Sequence, residues 1–213
     1  MKTVALIDYG AGNLTSVMRG LRRAGLEPSI AVSPAALAGA AGLVVPGVGH
    51  FSATASIGDD WREALLARVR AGVPLFGICL GMQWLFEGSA EAPGVRGLAL
   101  AQGLCQSLNE IGNQFTELIP DFNSVKVPHL GWNQLAPVGG SRLLAGVEPG
   151  AFAYFAHSYA APISPATVAT TTHGATFASA IERDNIFGVQ FHPELSSDTG
   201  ATIFANFARA VTQ

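Results

Sequence analysis

The chain carries the stretch Gly77-Ile78-Cys79-Leu80-Gly81-Met82-Gln83 directly after the apolar run Val73-Pro74-Leu75-Phe76. An apolar strand that ends in a glycine-flanked cysteine and continues as a helix is typical of a nucleophile elbow. The sharp turn lifts the thiol out of the sheet, and the small flanking residues let a substrate approach it. The start of a helix also favours the thiolate, which is the nucleophilic form of cysteine. The stretch therefore predicts a catalytic Cys79, with the N–H of Leu80 directed at a developing oxyanion.

Around this stretch, the first half of the sequence alternates short apolar runs with helical patterns. Strands are predicted over residues 3–8, 29–32, 42–45 and 73–78, and helices over 60–71 and 82–86. A further helix is predicted to begin after Asn13, a good N-cap residue, and to end near Gly25. Alternation of this kind is typical of parallel strands joined by crossover helices.

The second half has a different character, because Pro and Gly turns separate several strand-like runs. Strands are predicted over 98–108, 125–127, 152–159, 167–172, 175–181 and 186–191, and a closing helix over 199–211. No helix or strand is predicted over residues 111–122. The predicted fold class is α/β: an open, mostly parallel sheet flanked by helices with added antiparallel strands, in a single domain over residues 1–213.

An imidazole and a carboxylate lie two residues apart in Phe191-His192-Pro193-Glu194. In an extended segment these side chains share a face, so that Glu194 can orient the ring of His192. By itself the pair is equally consistent with a strand-end histidine beside a solvated glutamate. Together with the cysteine elbow, it predicts a Cys79-His192-Glu194 catalytic set.

A third glycine-rich element, Pro46-Gly47-Val48-Gly49, follows the strand at 42–45. Any strand-to-helix turn can be rich in glycine, and this structural explanation is as well supported by the sequence as a functional one. The functional alternative is that a backbone N–H near Val48 or Gly49 supplies a second oxyanion donor. A peptide that flips between two orientations at this glycine would then gate the chemistry.

Composition restricts the function class. The net charge is −3 and no basic run exists, so no nucleic-acid partner is expected. Glycine and proline interrupt the long uncharged stretch over 28–58 too often for a membrane span, and no secretory signal is apparent. The two cysteines form no disulfide framework, which favours a cytoplasmic location. Charged residues make up only 13% of the chain, which is compatible with a face covered by another protein.

The remaining candidates are weaker. Cys105 is interpreted as a small buried hydrophobe. Three further histidines show no metal-ligand spacing and are interpreted as structural: His129, His157 and His173. Neither a metal nor a cofactor is therefore expected. The segment Asp8-Tyr9-Gly10-Ala11-Gly12-Asn13 lacks the spacing of a phosphate loop.

The stretches P-G-V-G-H-F (46–51), G-I-C-L-G-M-Q (77–83) and F-H-P-E (191–194) together resemble the triad-type, or class I, glutamine amidotransferases. The stretches I-D-Y-G-A-G-N-L (7–14), V-P-H-L-G-W-N (127–133) and Y-F-A-H-S-Y (154–159) are similar to one subfamily, the glutaminase subunits of imidazole glycerol phosphate synthases. The resemblance spans nearly the whole chain in order. Leu130 and Phe152 depart from it, since the subfamily often has methionine at the first position and an aromatic hydroxyl is expected at the second.

The resemblance implies hydrolysis of glutamine through a thioester on Cys79, with Val48, Gly49 and Leu80 as the oxyanion hole. It implies a glutamine-binding set of Gly47, Gln83, Glu91, Ser158 and Tyr159. It also implies a heterodimer with a (β/α)₈-barrel cyclase subunit of imidazole glycerol phosphate synthase, which uses the ammonia in histidine biosynthesis. The candidate interface residues are Asn13, Trp132 and Tyr154, because aromatic anchors often dominate such contacts.

Two alternatives stay open at this point. One is a glutaminase from another pathway, such as anthranilate or pyridoxal phosphate synthesis, or a γ-glutamyl hydrolase, although the P-H-L-G-W-N and G-A-G-N stretches argue against these. The other is a catalytically silent subunit that only regulates a synthase. The presence of all three catalytic residues disfavours it.

Overall fold

The computed structural model of the protein describes residues 1–111 and 126–213. Its strands are β1 (Thr3–Ile7), β2 (Glu27–Ala31), β3 (Gly42–Val45), β4 (Leu75–Ile78), β5 (Gly88–Ser89), β6 (Leu104–Ser107), β7 (His129–Gln134), β8 (Ala136–Pro137), β9 (Phe152–His157), β10 (Tyr159–Ala160), β11 (Thr167–His173), β12 (Ala175–Arg183) and β13 (Ile186–Val189). Its α-helices are α1 (Leu14–Arg23), α2 (Asp59–Arg70), α3 (Leu80–Trp84) and α4 (Ser197–Thr212). Short 3₁₀ helices cover Pro34–Leu37, Phe51–Ser56 and Pro193–Leu195.

The main sheet has eight strands in the order β2-β1-β3-β4-β13-β12-β11-β8. Neighbours from β2 to β13 pair in parallel, and the pairs from β13 to β8 are antiparallel. The predicted fold class, a mostly parallel α/β sheet with added antiparallel strands, is confirmed. Because β13 comes from the end of the chain and lies beside β4, the sheet brings the segment after β13 next to the segment after β4.

Helices cover both faces of this sheet, and the alternation of side chains along the strands explains why. In β1, Val4 and Leu6 face a cluster that contains Phe204 and Phe207 of α4. Ala5 and Ile7 face the opposite cluster, which contains Leu65 of α2. Strands buried on both faces read as continuous apolar runs, which is why β1, β3, β4 and β13 are visible in the sequence.

Some predicted boundaries are wrong. Only Leu104–Ser107 of the strand predicted over 98–108 is extended. The preceding turn packs on the end of α3, where the N–H groups of Leu98 and Leu100 donate to the carbonyls of Trp84 and Leu85. These carbonyls at a helix end need donors, and satisfying them bends the segment.

Helix α3 begins at Leu80 rather than Met82, directly after the cysteine. In the strand predicted over 125–127, Val125 lies outside the described residues, and Lys126 and Val127 belong to no strand. Most of the unassigned segment 111–122 also lies outside the described residues. No helix within residues 1–111 and 126–213 is sufficiently long and apolar to cross a bilayer.

Candidate active site

Cys79 forms the junction between β4 and α3. Its backbone has φ 52° and ψ −110°, a conformation that residues with a side chain rarely adopt. The N–H of Cys79 donates to the carbonyl of Val189 at 2.7 Å, which ties the junction to the end of β13. Backbone strain held in place by neighbouring elements is common at active sites. The backbone therefore has the geometry of a nucleophile elbow.

His192 and Glu194 follow β13 and form a buried pair. The Nδ1 atom of His192 lies 2.9 Å from Oε1 of Glu194, and their side chains are 4% and 2% exposed. Only His192 is extended, since Glu194 lies in the 3₁₀ helix Pro193–Leu195. The pairing therefore comes from this turn rather than from the shared face of an extended segment. The N–H of His192 donates to Tyr154 in β9 at 2.8 Å, which fixes the segment.

The protonation of His192 depends on its two neighbours. Burial by itself lowers the pKa of His192, but hydrogen bonds and negative charge from Cys79 and Glu194 outweigh it and raise the pKa to about 10. The increase depends on negative charge at Cys79 and Glu194, so these contacts favour the imidazolium form of His192. An imidazolium beside the sulfur holds the proton that a leaving group needs.

A small cleft opens beside Cys79. Its lining consists of Gly49, Cys79, Leu80, Gln83, Glu91, Ala156, His157, Ser158 and Tyr159. Four of the five residues predicted to bind glutamine and two of the three predicted oxyanion residues are therefore in this lining. Gly47 and Val48 are not part of it.

The local contacts show how these residues are held. Gly47 packs closely against Tyr9 and Leu80, so that a Cβ at residue 47 would lie 2.0 Å from the Tyr9 hydroxyl. Gly49 has φ +103°, which other residues rarely adopt. The carboxylate of Glu91 accepts a hydrogen bond of 2.7 Å from the N–H of Phe51.

Sequence reasoning missed Gln190, which is fully buried beside Cys79. Its Nε2 atom lies 3.5 Å from the Cys79 sulfur. The available signal was a glutamine within the apolar run I-F-G-V-Q-F, since a buried amide must find hydrogen-bond partners.

The three histidines interpreted as structural lie together, and one of them, His157, is part of the cleft lining. His129 pairs with His157 in the register of β7 and β9, and the ring of His173 stacks on His129 at 4.1 Å. The strands β7 and β9 form a two-stranded sheet, and His129 and His157 lie on its buried face. This face packs against the end of β11, which carries His173.

One fixed carbonyl determines the tautomers of two of these rings. The Tyr159 carbonyl lies 2.9 Å from Nδ1 of His157, so Nδ1 carries a proton. In the neutral ring Nε2 is then an acceptor, and it lies 2.9 Å from Nδ1 of His129, which must donate. The Nε2 atom of His129 in turn accepts from the amide of Asn133 at 3.1 Å. Protonation of either ring would place two donors against each other.

We expect the neutral state of His157 to make stability depend on pH. Burial lowers its pKa to about 3, although the hydrogen bond from the ring to the Tyr159 carbonyl acts in the opposite direction. Between pH 6.5 and this value the unfolded chain binds a proton at His157 that the native protein does not. The free energy of unfolding should therefore decrease by up to about 1.4 kcal/mol per unit as pH falls through this window.

Urea unfolding of the wild type and of His157→Gln between pH 4 and pH 8 measures this effect. The variant should show a shallower pH slope, whereas His50→Gln, at an exposed position, should keep the wild-type slope. Equal slopes for the wild type and His157→Gln would contradict the neutral, buried state.

The outer face of the sheet formed by β7 and β9 is apolar and exposed. Leu130, Trp132 and Phe152 are 65%, 53% and 52% exposed, and the ring of Trp132 packs edge-on against Tyr154 at 5.9 Å. Trp132 is therefore not a core residue. Asn13 is also exposed, and its side chain caps α1 by accepting from the N–H of Ser16 at 3.4 Å.

Comparisons with known proteins agree on one family. The family model for glutamine amidotransferase class-I matches residues 5–211. The imidazole glycerol phosphate synthase subunit HisH of Deinococcus radiodurans is 44% identical over 210 residues, which cover 97% of this chain and 93% of that protein. The subunit of the same name from Methanothermobacter thermautotrophicus is 42% identical over 209 residues and 98% of both chains. A solved glutamine amidotransferase covers 99% of both chains with a TM-score of 0.74 at 17% identity, which shows a shared fold.

Proposed function

We propose a function from one premise: this chain belongs to the class I glutamine amidotransferase family. The chain is the glutaminase subunit of an imidazole glycerol phosphate synthase, and it releases ammonia from glutamine for histidine biosynthesis. The observation that carries the chemistry is the strained elbow at Cys79, whose side chain is hydrogen-bonded to the buried His192 of the His192–Glu194 pair.

In the proposed reaction the Cys79 thiolate attacks the side-chain amide carbon of glutamine. The N–H groups of Leu80 and of the Val48–Gly49 turn stabilise the oxyanion of the tetrahedral intermediate. His192 gives its proton to the nitrogen as the C–N bond breaks, which leaves a thioester and free ammonia. The neutral His192 then removes a proton from water, which attacks the thioester and releases glutamate. Glu194 keeps the ring oriented through both steps.

Substrate binding is assigned to Gly47, Gln83, Glu91 and the backbone near Ser158 and Tyr159. The amide of Gln83 donates to the Tyr159 carbonyl at 2.8 Å and to Gln190 at 3.0 Å, so its two N–H bonds are used within the protein. Its own carbonyl oxygen is therefore the group that it offers to an ammonium or amide donor of glutamine. Gly47 does not line the cleft, so it would contribute to glutamine binding indirectly, through its packing on Leu80.

Ammonia released into water is protonated and loses its nucleophilic lone pair, so a partner must receive it directly. We assign the partner to a (β/α)₈-barrel cyclase subunit in a heterodimer, docked on the outer face of β7 and β9 with Asn13, Trp132 and Tyr154 in the contact. Support comes from the exposed apolar side chains of this face and from the hydrogen bond between Tyr154 and the N–H of His192, which places the face beside the catalytic segment. Residues 1–213 act as one domain in the cytoplasm in this proposal.

Trp132→Ala is expected to weaken the complex by about 30-fold or more, because a half-buried indole at the centre of an interface contributes about 2 kcal/mol or more. Calorimetric titration of the variant with the cyclase measures the change. Ile163→Ala, which removes an exposed apolar side chain outside this sheet, should leave the affinity unchanged. Equal losses for both variants would contradict the assigned face.

The function itself is tested by titrating the chain with the cyclase, with the nucleotide substrate of the cyclase present, while glutamate release is recorded. We expect little glutamate from the isolated chain and a rise that saturates at one cyclase per chain. A complex without glutamate release would indicate a silent regulatory subunit. Glutamate release that the cyclase does not change would indicate a glutaminase of another pathway.

A further inference from the structure

We propose that Gln190 is an additional catalytic residue, whose side-chain N–H stabilises the Cys79 thiolate through a direct hydrogen bond. The two residues come from neighbouring parallel strands, since Cys79 follows β4 and Gln190 follows β13. The Gln190 side chain has no exposed surface, and its Nε2 atom lies 3.5 Å from the sulfur. Gln190 therefore contacts the reacting atom directly.

The orientation of the Gln190 amide follows from a chain of contacts that starts at a fixed carbonyl. The carbonyl of Tyr159 can only accept, so the Gln83 atom 2.8 Å away must be the NH₂ group. This NH₂ group also lies 3.0 Å from Gln190, and the Gln190 atom that faces it must be the carbonyl oxygen. The NH₂ group of Gln190 is then directed at Cys79, because the opposite orientation would place two donors against each other.

The surroundings of the sulfur leave a specific need for this donor. The carbonyl of Ala156, 4.0 Å from the sulfur, can accept from a thiol but opposes a thiolate. The imidazolium of His192 favours the thiolate, and it gives up its proton only as ammonia leaves, when the sulfur is already part of a thioester. The amide of Gln190 keeps its protons at neutral pH, so it is a second donor to the thiolate before substrate is attacked.

Hydrogen bonds from N–H groups to an anion are stronger than those between neutral groups, and the low dielectric of a buried site increases the difference. The contact therefore stabilises the charged form of Cys79 relative to the neutral thiol. It also holds the sulfur in one position before the substrate arrives. Both effects act before any bond to glutamine forms.

The test is the pH profile of alkylation of the full chain by iodoacetamide, with modification of Cys79 quantified by mass spectrometry. Cys105 is fully buried and serves as an internal reference in the same digest. Gln190→Leu, which removes the donor at similar volume, should move the midpoint of the profile upward by about one pH unit, a tenfold smaller thiolate population at a given pH. Gln102→Leu, the same substitution at an exposed position, should not move it.

A second variant keeps the test decisive if Gln190→Leu does not fold. Gln190→Glu retains an oxygen that accepts from Gln83 but places a carboxylate against the sulfur, so the midpoint should move upward at least as far as in Gln190→Leu. Urea unfolding of each variant separates this effect from loss of stability. A midpoint equal to that of the wild type in a folded variant would overturn the proposal, even if unfolding occurred at lower urea.

The proposal rests on the proposed function only in its choice of Cys79 as the nucleophile. The alkylation assay uses neither glutamine nor the cyclase, so its outcome is independent of whether the chain supplies ammonia to that partner. If the cyclase titration gives no glutamate but the alkylation profile of Gln190→Leu is shifted, the proposed pathway is rejected and the role of Gln190 is retained. An unshifted profile beside normal glutaminase activity would reject only the role of Gln190.

Discussion

Cys79→Ala is expected to reduce glutamine-dependent product formation by the complex by about 10³-fold or more. Removing a nucleophile eliminates the covalent route, and only positioning and oxyanion stabilisation remain. The assay is formation of imidazole glycerol phosphate by the complex, with glutamine as the only nitrogen source. Supplying ammonium at high pH should restore product formation, because the cyclase and its docking face are unchanged.

Two further variants make this result specific. Cys79→Ser should be nearly as inactive as Cys79→Ala, since a hydroxyl is a far weaker nucleophile than a thiolate at neutral pH. Cys105→Ala removes the other cysteine, which is buried and distant in sequence from the elbow, and it should retain activity. Glutamine-dependent turnover by Cys79→Ala at the wild-type rate would exclude the cysteine mechanism.

Gly81→Ala is expected to have the largest effect on stability, about 4 kcal/mol or more. A Cβ at residue 81 would lie 1.8 Å from the carbonyl oxygen of Val45 in β3. The backbone of α3 fixes the position of this Cβ and the oxygen belongs to the backbone of β3, so neither can rotate away, and relief requires α3 to move off the sheet. Since a domain is stable by about 5–15 kcal/mol, such a loss is a large part of the total.

Urea unfolding measures this effect. The matched control is Gly39→Ala, where a Cβ would meet open space, and it should change the free energy of unfolding by less than about 0.5 kcal/mol. If Gly81→Ala were as stable as the wild type, the close approach of α3 to β3 would be contradicted. The close contact with Val45 indicates that Gly81 serves helix–sheet packing in addition to the substrate access inferred from the sequence.

The parallel strands β1, β3, β4 and β13 could be predicted from sequence because they are buried on both faces. The predicted strand over 42–45 agrees with β3 residue for residue, and the predicted cap at Asn13 is the observed N-cap of α1. The strand predicted over 98–108 was too long for a tertiary reason, since only Leu104–Ser107 is extended. Its apolar residues pack around the C-terminal end of α3, and this packing overrides the local preference for extended structure.

The site was predictable only where a local pattern carries the geometry. The glycines around Cys79 indicate the elbow, and the spacing of His192 and Glu194 indicates their pair. Gln190 and the cluster of His129 with His157 depend on which strands become neighbours, and a single sequence does not display this. The inner and outer faces of β7 could not be distinguished from its sequence, so the exposure of Trp132 became visible only in the structure.

The most direct test of the central claim, that glutamine is hydrolysed through an acyl-enzyme on Cys79, is partitioning with hydroxylamine. The complex is supplied with glutamine and increasing hydroxylamine, and glutamate and γ-glutamyl hydroxamate are quantified together. We predict that hydroxamate increases as glutamate decreases by the same amount, because both arise from one thioester, and that Cys79→Ala forms neither. Continued glutamate release without hydroxamate would indicate direct attack by water and would contradict the account.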